Sequence, residues 1–195
     1  TMSSYYRPNF FVNTPDINPF HLQSGNPAAF AIRAILAATM SPSWGVSSGF
    51  ELCEHEPLAP GKEEYLNSEK FEYRPRNYTA EPNLAVLLGR LNEIREAHPA
   101  LQQLRDVAFH HAPHDSVFVF SKRDGDDTVL VVCSLDADNT VESQLNLDFE
   151  ALGFPAAEQV SVHDELSGES YVWGREAFVR LYPGKPAHIL HVTVS

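Results

Sequence analysis

One carboxylate in this chain has a setting suited to chemistry. Asp16 lies in Arg7-Pro-Asn-Phe-Phe-Val-Asn-Thr-Pro-Asp-Ile-Asn-Pro19, where the short apolar run Phe10-Phe11-Val12 gives way to a polar loop. Such a run suits a buried parallel strand, and groups that act on ligands concentrate in the loops after such strands. Pro15 limits the backbone just before Asp16, as a preorganised carboxylate requires. The ordinary reading is equally concrete: Asp after Thr-Pro is a common turn or cap residue. The residues alone leave both readings open. So little chain precedes the loop that much of the machinery around Asp16 is expected to lie outside these 195 residues.

Other polar residues offer less. Glu51 and Glu54 follow the next strand candidate, with no role that their types define. His110, His111 and His114 do not form a ligand set, because adjacent strand residues point to opposite faces and no cysteine or paired carboxylate completes one. Surface histidines are expected there, and no metal. Asp124-Gly-Asp-Asp127 resembles a calcium loop only superficially and lacks the twelve-residue ligand pattern. No glycine-rich phosphate cradle is present, and no cofactor is expected. Trp44 and Trp173 sit among β-branched or apolar neighbours and read as core rather than sugar platforms. The acidic run at 54–64 reads as a solvated loop, with a gating role as the alternative.

Composition narrows the class. Hydrophobic residues make up 43% and charged residues 21%, which is ordinary for a folded domain. A net charge of −12 argues against nucleic acid or an anionic membrane as partner, since both need clustered Lys and Arg. No apolar run reaches the length of a membrane span, and the start lacks the layout of a signal peptide. Cys53 and Cys133, far apart, fit reduced thiols in the cytosol better than a disulfide framework, although a single bridge stays open.

The elements that must hold these residues change period along the chain. Phe10–Val12 reads as a strand. Asn26-Pro27 then reads as an N-cap and first helical residue, and 28–40 as a largely buried helix stopped by Ser41-Pro42. Residues 44–50 are the next strand candidate. A long polar excursion over 54–82 contains four prolines and cannot be one helix. Asn83 caps an amphipathic helix with Leu84, Leu87, Leu88, Leu91 and Ile94 on one face. From about Val107 the pattern alternates. Residues 116–123, a turn at 124–127, and 128–135 form the clearest hairpin, with further strands at 144–149, 159–165, 171–173, 178–182 and 187–194. The fold class is therefore α/β plus all-β, with a boundary near residue 105. Two βα units cannot close a parallel barrel or cover both faces of a sheet, so they read as the tail of something larger.

At this point a family resemblance emerges. RPNFFVNTPDINPF, AAFAIRAILAATMSPSWGVSSGFELCE and EEYLNSEKFEYRPRNY closely resemble the C-terminal third of the α-1,4-glucan:maltose-1-phosphate maltosyltransferases, bacterial members of the α-amylase clan. SKRDGDDTVLVVCSLD and VHDELSGESYVWG extend the likeness into the strand-rich half. The resemblance implies that residues 1–105 are the last two βα units of a (β/α)8 barrel and 106–195 the β-sandwich after it. It implies transfer of maltosyl from α-maltose 1-phosphate to the non-reducing end of an α-1,4-glucan, with retention and release of phosphate, in glycogen-type synthesis. It also implies a cytosolic, typically homodimeric enzyme.

Retention needs a nucleophile and an acid/base carboxyl roughly 5–5.5 Å apart, which the clan takes from earlier barrel strands. This chain alone is thus expected to be inactive. The Asp of the NTPD motif is the third carboxylate of the clan, which binds the reacting ring, so the resemblance assigns transition-state stabilisation to Asp16. Lys70 matches a family lysine that contacts the maltosyl donor. At Phe71 the family often has Tyr; Phe71 keeps a ring for stacking and loses a hydroxyl. Two alternatives accompany this reading: another α-amylase-clan transferase or hydrolase, and a non-catalytic carbohydrate-binding or interaction module.

Overall fold

The computed structural model describes residues 2, 5–69 and 72–194. Strand β1 (Asn9–Phe11) and strand β2 (Ser43–Gly45) pair in parallel, Phe10 opposite Trp44. Helix α1 (Pro27–Met40) connects them. The Asn26 side chain accepts the Ala28 N–H at 2.9 Å, and proline takes the first helical position where no N–H is needed. Helix α2 (Ala85–Ala97) follows the long excursion, with the Asn83 side chain accepting the Ala85 N–H at 2.8 Å. Leu91 and Ile94 are buried, and Leu84, Leu87 and Leu88 pack partly buried beside them.

The strand expected over 44–50 is cut short. It stops at Gly45, and Phe50–Leu52 form a 3-10 turn. The cause is tertiary. The side chain of Asn13 accepts the Ser47 N–H at 2.9 Å, and Gly49 then adopts φ +99, which turns the chain out of extended geometry.

The alternating half forms a six-stranded antiparallel sheet and a two-stranded one. Strands β3 (Val107–Phe109), β4 (Val117–Asp124), β5 (Asp127–Ser134), β7 (Val160–Asp164), β8 (Ser170–Trp173) and β10 (Ala187–Thr193) lie in the order β3-β4-β5-β10-β7-β8. Strands β6 (Val141–Asn146) and β9 (Glu176–Leu181) pair separately. Both alternate strictly between buried and exposed residues, as a layer with one wet face must. Strand β5 is buried on both faces. Its Val129, Val131 and Cys133 pack with Phe30, Ile35 and Leu101 of the helical half, while Leu130 and Val132 pack with Leu145, Val179 and Leu181 of the second sheet. One apolar core therefore crosses residue 105, and a second fills the sandwich. Cys53 and Cys133 are both free and buried.

Candidate active site

The site grows from the carboxyl end of β1. Val12 and Asn13 are buried, and Thr14 and Ile17 exchange backbone hydrogen bonds of 3.1 Å in both directions. Pro15 and Asp16 are the two central residues of the turn this closes, and Asp16 is exposed at its tip. Asn13 braces the turn from below. Its amide donates to the Tyr65 hydroxyl at 3.0 Å while its oxygen holds Ser47. Burial pushes the Tyr65 hydroxyl above its ordinary pKa, with the Asn13 hydrogen bond acting the other way.

The long excursion is stitched to the same turn. Asn18, fully buried, donates from its side chain to the His55 carbonyl at 2.8 Å and from its backbone to Glu63. Gln23 reaches the Lys62 carbonyl at 2.9 Å, and the Ser68 hydroxyl donates to the Pro15 carbonyl at 2.7 Å. A cleft of about 210 Å³ opens beside the turn, lined by Pro15, Ser47, Ser68, Glu54, Glu69 and Arg76 among others. Its hydroxyls suit a polyhydroxylated ligand, while its carboxylates Glu54 and Glu69 are engaged by Arg76, and Asp16 stands beside the cleft rather than among its lining residues.

Of the residues expected to act, Asp16 is brought to the loop end of a parallel strand. Lys70 and Phe71 lie outside the described residues; their neighbours Ser68 and Glu69 line the cleft with Pro15. Glu51 turns inward, where its carboxylate accepts the Gly49 N–H at 3.0 Å, whereas Glu54 faces the cleft. Asn13, Tyr65 and Arg76 were not foreseen, because their importance rests on partners far along the chain. Trp44 is half-buried and donates to the Asn92 side chain at 3.2 Å. Trp173 stacks on Tyr171 with ring centres 6.1 Å apart.

The histidines need a correction. His111 and His114 are exposed, but His110 is buried. Its Nε2 lies 2.8 Å from the Ser121 hydroxyl, and its Nδ1 accepts the Asp148 N–H at 3.0 Å. Burial lowers its pKa, with Asp148 opposing. Sequence spacing could not anticipate that pairing. Among the described residues, His98, Asp127 and His191 bring possible ligand atoms within 4.8 Å of one another. These groups already serve each other: His98 Nδ1 lies 2.8 Å from Asp127, whose second oxygen accepts the Ala100 N–H at 2.9 Å. The cluster fastens the end of α2 to the sheet.

Known proteins resemble this chain along nearly all of its length. The family pattern described as "GLGE, C-terminal" matches residues 109–192. An α-1,4-glucan:maltose-1-phosphate maltosyltransferase of Streptomyces coelicolor is 51% identical over 97% of this chain. The Mycobacterium tuberculosis enzyme of that name is 46% identical over 98% of it. The chain is homologous to part of these maltosyltransferases. It spans 29% of the Streptomyces protein and 28% of the Mycobacterium one. Among solved structures, AmyP in complex with maltotriose aligns with TM-score 0.69 at 19% identity, covering 98% of this chain and 42% of that one. An Anoxybacillus α-amylase aligns with TM-score 0.68 at 16% identity, covering 97% and 39%. The fold is thus that of the corresponding part of α-amylase-type enzymes. No helix among the described residues is long and apolar enough to cross a membrane.

Proposed function

We propose that this chain is the C-terminal portion of a retaining glycosyltransferase. The enzyme moves maltosyl from α-maltose 1-phosphate to the non-reducing end of an α-1,4-glucan and releases phosphate. The observation that carries the reading is identity near one half across almost the whole chain to relatives bearing that activity in their names.

In this reading residues 1–105 complete a (β/α)8 barrel and 106–195 form the sandwich behind it. Active groups of such barrels stand at the carboxyl ends of the strands, which is where the Asp16 turn follows β1. Asp16 accepts hydrogen bonds from hydroxyls of the reacting ring and favours its flattened, cationic form. Lys70 donates to the maltosyl donor and Phe71 stacks beside it. The nucleophile and the acid/base carboxyl come from the remaining length of the enzyme, and so does the hold on phosphate. The setting is the cytosol, glycogen-type synthesis and a homodimer.

The test is phosphate release from maltose 1-phosphate plus glycogen, using the longest polypeptide that the gene encodes. Asp16→Asn is compared with wild type after circular dichroism has verified its fold. A loss of about 10²–10³-fold in kcat supports the role, that being the scale of one removed transition-state contact. Unchanged release makes Asp16 a turn residue. No release from wild type redirects the assignment to another sugar or to a binding module.

A further inference from the structure

We infer that Arg76 is a positioning residue for the Asp16 site: clasped by Glu54 and Glu69, it holds Glu69, and with it Ser68, beside the turn that presents Asp16. The kinetic consequence rests on the maltosyltransferase reading above; the mechanical one does not.

Residues 66–69 and 72–76 are tied down by side chains. Ser68 bonds the Pro15 carbonyl at 2.7 Å, and Arg74 reaches back to the Leu66 carbonyl at 3.2 Å. Arg76 makes the densest set of contacts. Its side chain is only 5% exposed, its Nε and a terminal nitrogen meet both oxygens of Glu54 at 2.8 and 3.2 Å, and its other terminal nitrogen meets Glu69 at 2.5 Å. The paired hydrogen bonds to Glu54, followed by those to Glu69, push the guanidinium well above its ordinary pKa despite its burial. A planar fork is what lets one cation serve two carboxylates in fixed directions, and an ammonium cannot reproduce it.

The anchor on the other side is equally constrained. Glu54 follows the 3-10 turn after β2, and its backbone N–H is held by the Gly49 carbonyl at 3.0 Å. Its carboxylate occupies the space that a Cβ at residue 49 would need, and Gly49 also has positive φ. Glycine there is thus what allows the acid to sit under Arg76. At the far end, Glu69 is the residue before Lys70. Arg76 therefore fixes Glu69, the neighbour of Lys70 in sequence, to the platform that carries the β2 turn, and Pro15 beside Asp16 lines the same cleft.

The experiment uses the full-length polypeptide with Arg76→Lys and Glu54→Gln. Amide exchange is followed by mass spectrometry over 66–76 and over α1, and phosphate release is measured in parallel. Both variants are expected to exchange about tenfold faster in 66–76 with α1 unchanged. kcat should fall by about 10- to 100-fold, the cost of misplacing contact groups by an ångström or so. In a Lys70→Ala background the further effect of Arg76→Lys should largely vanish, a non-additivity that general loss of stability does not produce. If Arg76→Lys does not fold, Glu54→Gln decides by the same readouts. Wild-type exchange in 66–76 of the folded variants overturns the inference, and so does full additivity with Lys70→Ala. If wild type releases no phosphate, the substrate assignment fails while the exchange arm still decides whether Arg76 holds the loop.

Discussion

The ammonium of Lys122, on sandwich strand β4, lies 3.2 Å from the Thr39 carbonyl in the last turn of helix α1. The Met40 and Leu101 carbonyls stand at 3.5 Å. A fully buried lysine thus caps a helix whose final carbonyls have no partner within the helix. Burial, and next the neighbouring Arg95, push its pKa down to about 8 from 10.5. Between those values the unfolded chain holds more of this proton than the folded one, so this group makes stability rise with pH across that window. Wild type should gain about 3 kcal/mol relative to Lys122→Met as pH goes from 8 to 10.5. Urea titrations at several pH values check this, and parallel curves for the two proteins contradict it.

Asn13 makes a second prediction. It is buried and serves Tyr65 and Ser47 at once, so Asn13→Ala strands the buried Tyr65 hydroxyl and the half-buried Ser47 N–H. The expected loss is about 1–3 kcal/mol, concentrated in the Asp16 turn. A thermal shift near zero, with unchanged exchange at residues 14–17, contradicts that role.

Much of the scaffold was legible in the residues. The β4–β5 hairpin announced itself by alternation on either side of Asp-Gly, and α1 by Asn-Pro ahead of an apolar run. Local pattern was enough because turn and cap chemistry are local. Strand β2 was over-read because what stops it, Asn13 holding Ser47, is a contact between distant segments. His110 was misplaced for the same reason, its partners being Ser121 and Asp148. The role expected of Asp16 rests on the motif around it rather than on its own chemistry. Arg76 carried no signal of its own, since an arginine in a polar loop looks solvated until its two carboxylates fold around it.

The cysteines should be silent in the native protein. Burial pushes the thiols up to about 11 at Cys53 and about 12 at Cys133. Thiolate is the reactive form, and neither sulfur is open to solvent. At pH 8, peptide mapping after maleimide treatment should find both unlabelled in folded protein and both labelled in denaturant. Rapid native labelling of Cys53 implies that the 3-10 turn beside it opens.

Asp164 should govern part of the acid limit of stability. Its carboxylate is fully buried at the end of β7. Burial alone raises its pKa, but His188 at 2.9 Å, Ser167 at 2.7 Å and the Leu166 N–H together bring it below 3.8. A depressed carboxylate contributes stability that is present above the unfolded value and lost as pH falls through the folded one. That loss therefore belongs below pH 3.8. Asp164→Asn keeps the shape and removes the charge, leaving His188 without an anionic partner. It should cost about 3 kcal/mol at neutral pH, the scale of breaking a buried pair from one side. Its stability should also fall less steeply than wild type below that pH. Urea midpoints at neutral pH and near pH 3 give both numbers. A variant as stable as wild type, with the same acid slope, would mean that Asp164 is held by its backbone donors, Leu166 and Ile189, and that the charge does no work.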